Sequence, residues 1–328
     1  MRYIITNYSK AYYNMALEQM LMEDKRFNEE YLFFYIHTPS IIVGKNQNTF
    51  AEINPAFVKE HNITVARRIS GGGAVYHDEG NLNFSFVCKR NAQQGIDFAR
   101  FTKPVINALK TLGVNADLSE RNDILIEGRK FSGNAEYLNK EKILHHGTLM
   151  IDVNIENLVN ALHVNPLKLQ SKAIQSVRSR VANLNDFLPE PMTSLQFRDF
   201  LVKSLQEELS LKPLYLDENT KKIIQEKVQT TFSTYEYNFS RSPKASFEKK
   251  KKFPFGLVEA YVDIQKGKIK NIHFFGDFFF KRNISELEEL LTDTPFTETD
   301  VRKKLETVPV DEYIHNIHPE ELTNLLFE

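Results

Sequence analysis

The sequence predicts an α+β fold, with mixed, mainly antiparallel sheets in a large N-terminal domain followed by a small α+β C-terminal domain. Three observations carry this. Short strands bounded by tight turns alternate with amphipathic helices, as in an antiparallel layout with helices on its faces. A chain of 328 residues with 41% hydrophobic and 12% aromatic residues holds enough apolar side chains for more than one core. The composition breaks near Ser240, where Arg241-Ser-Pro-Lys-Ala-Ser leads into Glu248 and a lysine run, Lys249 to Lys252, so the domains are read as residues 1–243 and 248–328.

From Asn14 to Met22, the apolar Met15, Leu17, Met20, Leu21 and Met22 interleave with Glu18 and Gln19, which predicts a helix capped by Ser9 or Asn14. Tyr31 to Tyr35 and Ser40 to Val43 read as strands, the second closed by Gly44. A helix over Asn54 to His61 leads through Thr64-Val65-Ala66 into Arg67-Arg-Ile-Ser-Gly-Gly-Gly-Ala-Val-Tyr-His-Asp. Asn83 to Val87 alternates faces as a strand, and Phe98 to Leu112 keeps helical period until Gly113 stops it. Asp123 to Gly133 predicts a hairpin turning at Glu127-Gly128, then a strand at Gly147 to Val153 and a helix at Glu156 to Leu162. Beyond the break, Leu257 to Ile264, the turn Gln265-Lys-Gly-Lys and Ile269 to Phe280 form a strand-turn-strand unit. Helices at Ser285 to Leu291, Thr297 to Leu305 and Pro319 to Leu326 complete it.

Bulk properties narrow the function. The formal net charge is -1, from 42 basic and 43 acidic residues, so nothing global steers the chain to nucleic acid or an anionic membrane. The N-terminus is apolar for only two residues, Ile4 and Ile5, before polar groups return, and no run is long enough to span a bilayer. One cysteine, Cys88, permits neither an intrachain disulfide nor a thiolate metal cluster, and the expected compartment is the cytoplasm.

Two clusters carry candidate chemistry. Three consecutive glycines, Gly71 to Gly73, contribute no packing and mark backbone that turns tightly or lies against a ligand. With Arg67 and Arg68 beside them, they predict an anion cradle, the alternative being an ordinary turn. Neither a Walker pattern nor a dinucleotide fingerprint is present. The second cluster sets Asp123 at a strand start and Lys130 just past a turn, with Gly133 allowing close approach, so that Lys130 meets a second anionic group or is a solvated hairpin residue.

Other polar residues have two readings each. His145 and His146 are strand neighbours on opposite faces without a third ligand, which argues against zinc. His77, beside Asp78, reads as a donor or base at the site or as a structural hydrogen-bonding group. Arg178 and Arg180 bind phosphates or pair with carboxylates. Cys88, after a strand, reads as packing, and Lys249 to Lys252 as a solvated run.

Taken in order, Arg67-Arg-Ile-Ser-Gly-Gly-Gly-Ala-Val-Tyr-His-Asp, Gly128-Arg-Lys-Phe-Ser-Gly-Asn-Ala, His145-His-Gly-Thr-Leu and Ser176-Val-Arg-Ser-Arg-Val-Ala-Asn-Leu resemble the lipoate-protein ligase A family, as does Gly276-Asp-Phe-Phe. That family is related to the biotin ligases and has a catalytic domain like that of class II aminoacyl-tRNA synthetases. The resemblance covers nearly the whole chain and implies two-step chemistry. ATP and free lipoate condense to lipoyl-adenylate and pyrophosphate, and the ε-amine of a carrier lysine then attacks the anhydride. It implies nucleotide contacts at Arg68, Gly73, Ala74, Val75, Tyr76, Asp123, Lys130, Arg178 and Arg180. Lys130 is also the catalytic cation and touches the lipoate carboxyl. The lipoate site is expected at Glu18, Arg67, Ser70, Gly71, Gly72, His77, Ala135 and His146, although an exposed position is the ordinary reading for a helix glutamate such as Glu18. Mg²⁺ is expected between the phosphates, with Asp123 as its protein ligand. The implied partners are lipoyl carrier domains of 2-oxoacid dehydrogenase E2 subunits and the glycine cleavage H protein.

The physical chemistry agrees with that implication. A carboxylate attacking phosphorus brings two anions together, so the site needs fixed cations rather than a nucleophilic side chain. An apolar acyl tail wants a hydrophobic tunnel, for which Val43, Val75, Phe84 and Ala135 are candidate walls. The rival is an ATP-independent lipoyl or octanoyl transferase working through an acyl-cysteine, with Cys88 on the wrong side of the motifs; a lipoyl-binding module is the non-enzymatic alternative. The chain departs from the family at Tyr235-Glu-Tyr237, where tryptophans are frequent, and at Glu136-Tyr137, where some relatives carry arginine.

Overall fold

The structure, a computed structural model, describes residues 1–90, 95–162, 177, 179–239 and 247–327. The main sheet draws on β1 (Arg2–Ile5), β2 (Tyr31–Ile36), β6 (Asn81–Lys89), β7 (Ala116–Leu118), β8 (Asp123–Ile126), β9 (Arg129–Leu138), β10 (Lys142–Met150) and β11 (Lys212–Tyr215). Their order is β11-β1-β2-β6-β10-β9-β8-β7. β1 pairs in parallel with β2 and β11, and the other pairs are antiparallel. A second sheet, β4-β3-β5, combines β3 (Ser40–Val43), β4 (Thr64–Arg67) and β5 (Val75–His77). The C-terminal sheet is an antiparallel trio, β12 (Phe247–Phe253), β13 (Gly256–Gln265) and β14 (Lys268–Gly276).

Local chemistry accounts for several of these elements. The turn between β8 and β9 places Glu127 at φ 50° and Gly128 at φ 75°, the left-handed pair that a two-residue hairpin requires. The helix Phe98–Thr111 begins where the Asp97 carboxylate accepts from the Arg100 amide at 3.2 Å and ends ahead of Gly113 at φ 78°. The helix Pro55–Glu60 starts with Asn54 accepting from Phe57 N and proline at its first position.

Where structure and sequence reading differ, tertiary contacts explain it. The first helix, α1 (Ala11–Glu23), begins without a side-chain cap; Asn14 lies inside it, donating to Tyr8 O at 2.9 Å. β1 is a strand because distant β11 pairs with it. β10 begins at Lys142 rather than Gly147, since Lys142 Nζ docks on the carbonyls of Leu21 and Phe27, at 2.6 Å each, near the end of α1. The lysine run is the edge strand β12, where charge discourages further pairing.

Apolar side chains collect in three cores. Leu32, Phe84, Phe131 and Phe197 belong to the first, under the main sheet. In the second, Leu17, Met20 and Leu21 of α1 meet Phe33 and Ile42. The third is formed by C-terminal residues alone, among them Phe253, Phe274 and Leu305, a separate C-terminal domain. Among the described residues, no helix is long and apolar enough to cross a membrane.

Candidate active site

The main sheet supplies the floor of a cavity of about 120 Å³. Register places Tyr35, Asn83 and Thr148 side by side on β2, β6 and β10, and Gly133 N of β9 donates to Thr148 Oγ1 at 3.0 Å. The next row sets Ser85 beside His146 and His146 beside Ala135. On the core side of the sheet Gly147 makes room for the Phe84 ring, from which a Cβ would lie 2.5 Å. The glycine loop and β5 lie above, so Arg68, Gly72, Gly73, Ala74, Val75 and His77 face Lys130, Ala135 and His146 across the space.

The two adjacent arginines do different work. Arg68 is buried and binds the glycine loop itself, Nη2 donating to Gly71 O at 2.7 Å and Gly73 O at 2.8 Å, Nη1 to Ile42 O at 3.0 Å, and Nε to Ser70 Oγ at 3.1 Å. Burial pulls its pKa down to about 10, so it keeps its charge at neutral pH. Arg67 points away from the cavity: Nη1 donates to Gly44 O and Gln47 O, and Nη2 to Thr49 Oγ1 and Asn238 O. It therefore ties the β4 end to the segment around Asn238 and does not approach the lipoate cavity expected for it, because strand alternation sends neighbouring side chains to opposite faces.

The same alternation separates Tyr76 from its neighbours. Val75 and His77 line the cavity, whereas Tyr76 sits in the first core, where burial and then Asp78 push its hydroxyl up to about 12.

Lys130 reaches the cavity by a β-bulge. Pairing runs Ile124 with Ser132 but Leu125 with Lys130, so Phe131 is the extra residue and goes into the core. The ammonium lies 2.9 Å from Asp123 Oδ1, with side chains 39% and 27% exposed, and the backbone of Lys130 clamps Arg180 O and Ala182 N. A Cβ on Gly133 would lie 2.9 Å from Nζ, so only glycine leaves the lysine this position.

Behind the floor lies a polar chain. Glu18, fully buried rather than exposed on its helix, accepts at Oε1 from Tyr35 Oη at 3.0 Å, His146 Nδ1 at 2.9 Å and the Ser85 hydroxyl. Burial drives the carboxyl up, but the His146 imidazole and the two hydroxyls outweigh it and hold the pKa below its ordinary value. His146 Nε2 meets Ser70 Oγ at 2.6 Å, and Ser70 meets Arg68, so one chain of contacts links α1 to the glycine loop. His145 faces the other way and pairs with buried Glu136 at 2.9 Å.

The remaining expectations sort by burial. Gly71 packs on the C-terminal domain, where a Cβ would stand 2.3 Å from Phe278 O. Arg180 is exposed and contributes its carbonyl to Lys130; Arg178 lies outside the described residues. Val43 and Phe84 are core residues rather than walls. Cys88 is 1% exposed, with burial pushing its thiol up to about 12. Unforeseen in the lining are Met15, Tyr35, Asn83, Asn122, Asn134 and Thr148. Asn81, Asn83 and Ser85 carried a signal, since an alternating polar face on a strand between apolar segments points to a buried polar site.

Comparison with known proteins points to one family across the chain. Residues 10–206 match the model of the lipoyl protein ligase A/B catalytic domain, and residues 242–326 that of the bacterial lipoate protein ligase C-terminus. The chain is 42% identical to the lipoate-protein ligase LplJ of Bacillus subtilis over 96% of both chains. It is 40% identical to lipoate-protein ligase 1 of Staphylococcus aureus over 95% of both. Among solved structures it resembles P. falciparum LipL1 in complex with lipoate, at TM-score 0.83 and 26% identity, over 100% of this chain and 99% of that one. A bipartite ligase of Thermoplasma acidophilum, described with its E2 lipoyl domain, gives TM-score 0.66 and 28% identity over 75% of this chain and 98% of that one. A lipoate-protein ligase A bound with ATP gives 0.63 and 27% over 72% and 97%. With its motifs, its fold and both matched regions in agreement, the chain belongs to the lipoate-protein ligase family.

Proposed function

We propose that this ligase is ATP-dependent, activating free lipoate as lipoyl-adenylate and passing the lipoyl group to a lysine ε-amine on a carrier domain. The observation that carries the reading is the cationic end of the cavity. Lys130, steered by the bulge and held at 2.9 Å by Asp123, stands opposite Arg68, and no nucleophilic thiol is at hand. Such a site neutralises charge where a carboxylate approaches a phosphate. The chain's one cysteine is buried in the first core with a raised pKa, which disfavours the transferase route.

In this reading Lys130 is the catalytic cation, bridging acyl carboxylate and nucleotide. Arg68 holds the loop Gly72-Gly73-Ala74-Val75 against the phosphates. His77, Ala135 and His146 face the acyl chain, with Glu18 and Ser70 supporting them from behind. The catalytic domain spans residues 1–243 and the accessory domain 248–328. Among the described residues, no three His, Cys, Asp or Glu side chains gather to hold a metal. The lone Asp123 carboxylate suits a Mg²⁺ that arrives on the phosphates and neutralises their charge. The lipoyl domains of 2-oxoacid dehydrogenase E2 subunits and the H protein are the proposed acceptors, a reading supported by the archaeal ligase described with its E2 lipoyl domain.

Lipoate-dependent release of pyrophosphate from ATP tests this directly. Lys130→Ala is expected to lower that rate roughly 100-fold or more, the scale of losing a charge-stabilising group. Cys88→Ser should retain it within a few-fold. Absence of pyrophosphate with the wild-type chain would overturn the ATP-dependent reading.

A further inference from the structure

Two buried histidines meet at the cavity in an arrangement that the adenylation chemistry leaves unused. His37 follows β2 and His77 ends β5; both are at most 4% exposed, and their Nδ1 atoms lie 3.0 Å apart. Both Nε2 atoms are buried, and neither has a hydrogen-bond partner among the described residues. His77 lines the ligand cavity, while His37 lines a second one together with Glu79, Asp152 and Leu195.

An Nδ1–Nδ1 hydrogen bond needs one ring to donate and the other to accept. The donating ring then has a bare Nε2, and the accepting ring carries Nε2–H. The pair thus has two neutral arrangements, and His77 offers a donor in one and an acceptor in the other.

The sheet fixes where that offer falls. Gly133, beneath the Lys130 ammonium, connects through Thr148 and Asn83 to Tyr35, whose ring is 4.9 Å from that of His37. That row crosses β9, β10, β6 and β2, which is three strand spacings or about 14 Å. An acyl chain with its carboxylate at Lys130, as the proposed function requires, therefore runs toward His77. A methyl terminus leaves His77 Nε2 unpaired in either arrangement, and an unmet buried polar atom is costly. A disulfide sulfur accepts from Nε2–H, and a thiol donates to bare Nε2.

We propose that the His37–His77 pair reads the far end of the acyl chain, favouring chains that end in a hydrogen-bonding sulfur group over plain alkyl chains. His77 makes the contact, and His37 is a positioning residue that lets it switch between donor and acceptor.

Calorimetric titration of the full chain with lipoate, dihydrolipoate and octanoate tests the proposal. The wild type should bind lipoate at least tenfold more tightly than octanoate and lipoate within threefold of its dithiol. His77→Phe should bring lipoate and octanoate within threefold of each other by weakening lipoate, and His77→Gln should keep the preference. If the phenylalanine variant does not fold, His77→Leu carries the same expectation. His37→Phe keeps the ring beside Tyr35 but leaves His77 Nδ1 without a partner in both arrangements. Lipoate and dihydrolipoate should therefore weaken together by fivefold or more while octanoate stays within threefold, a selective change that packing alone would not produce. An unchanged lipoate-to-octanoate ratio in this variant would overturn the role of His37. A wild type without preference, or a folded His77→Phe with the wild-type ratio, overturns the proposal. Since binding is read without ATP, failure to release pyrophosphate would sink the ATP-dependent function and leave this inference standing.

Discussion

Arg67 and Arg68 are chemically identical, yet only one reaches the cavity. Arg67 spends its guanidinium on backbone oxygens of Gly44, Lys45, Gln47, Tyr237 and Asn238, so its removal leaves buried acceptors unmet. Arg67→Ala is expected to lower stability by roughly 3–5 kcal/mol, measured by denaturant unfolding, as for other broken buried networks. Arg68→Lys should fold but lose hold of the Gly71 and Gly73 carbonyls, lowering lipoate-dependent pyrophosphate release about tenfold or more. Sequence identified the residue types but could not say which arginine faced inward, because that depends on the pairing of β4 with β3. Glu18 illustrates the same limit. Its burial follows from the convergence of Tyr35, Ser85 and His146 from three strands, none near it in sequence.

Hairpin β8–β9 was legible because Glu127-Gly128 states its own turn, whereas the bulge that aims Lys130 was not. The bulge arises from Phe131 entering the core, a tertiary demand with no local signature. The glycine loop was legible as a place of close approach, but its closest partners are protein: a Cβ on Gly44 would stand 2.0 Å from Gly72 O. Gly44→Ala must therefore displace the loop. We expect acyl-dependent pyrophosphate release to fall more than tenfold while circular dichroism keeps the wild-type secondary structure. An unchanged rate would show that the loop's position does not set activity.

At the scale of the whole molecule, the C-terminal domain was recognisable from the composition break, but its seat on the glycine loop was not. Phe279 packs on Phe98 with ring centroids 5.4 Å apart, Gly276 N donates to Asn46 O at 3.0 Å, and Gly71 abuts Phe278 O. The junction also gathers acidic groups. Burial, then Glu259 and Asp277, raise the Glu52 carboxyl to about 7, with Gln47 and Arg68 opposing. Between its ordinary value near 4.5 and about 7, the folded chain thus holds a proton that the unfolded chain has released. Stability must fall as pH rises through that window and level off above it. His37, His77 and His145 act in the opposite sense, because burial lowers their pKa values and stability is lost as pH falls below about 6.5. Comparison of wild type with Glu52→Gln removes the histidine contribution common to both. The variant's stability relative to wild type should rise by on the order of 1–3 kcal/mol between pH 5 and pH 7.5, read from unfolding midpoints. A difference that stays constant across this range would mean that Glu52 is not held buried beside Glu259 and Asp277 in solution.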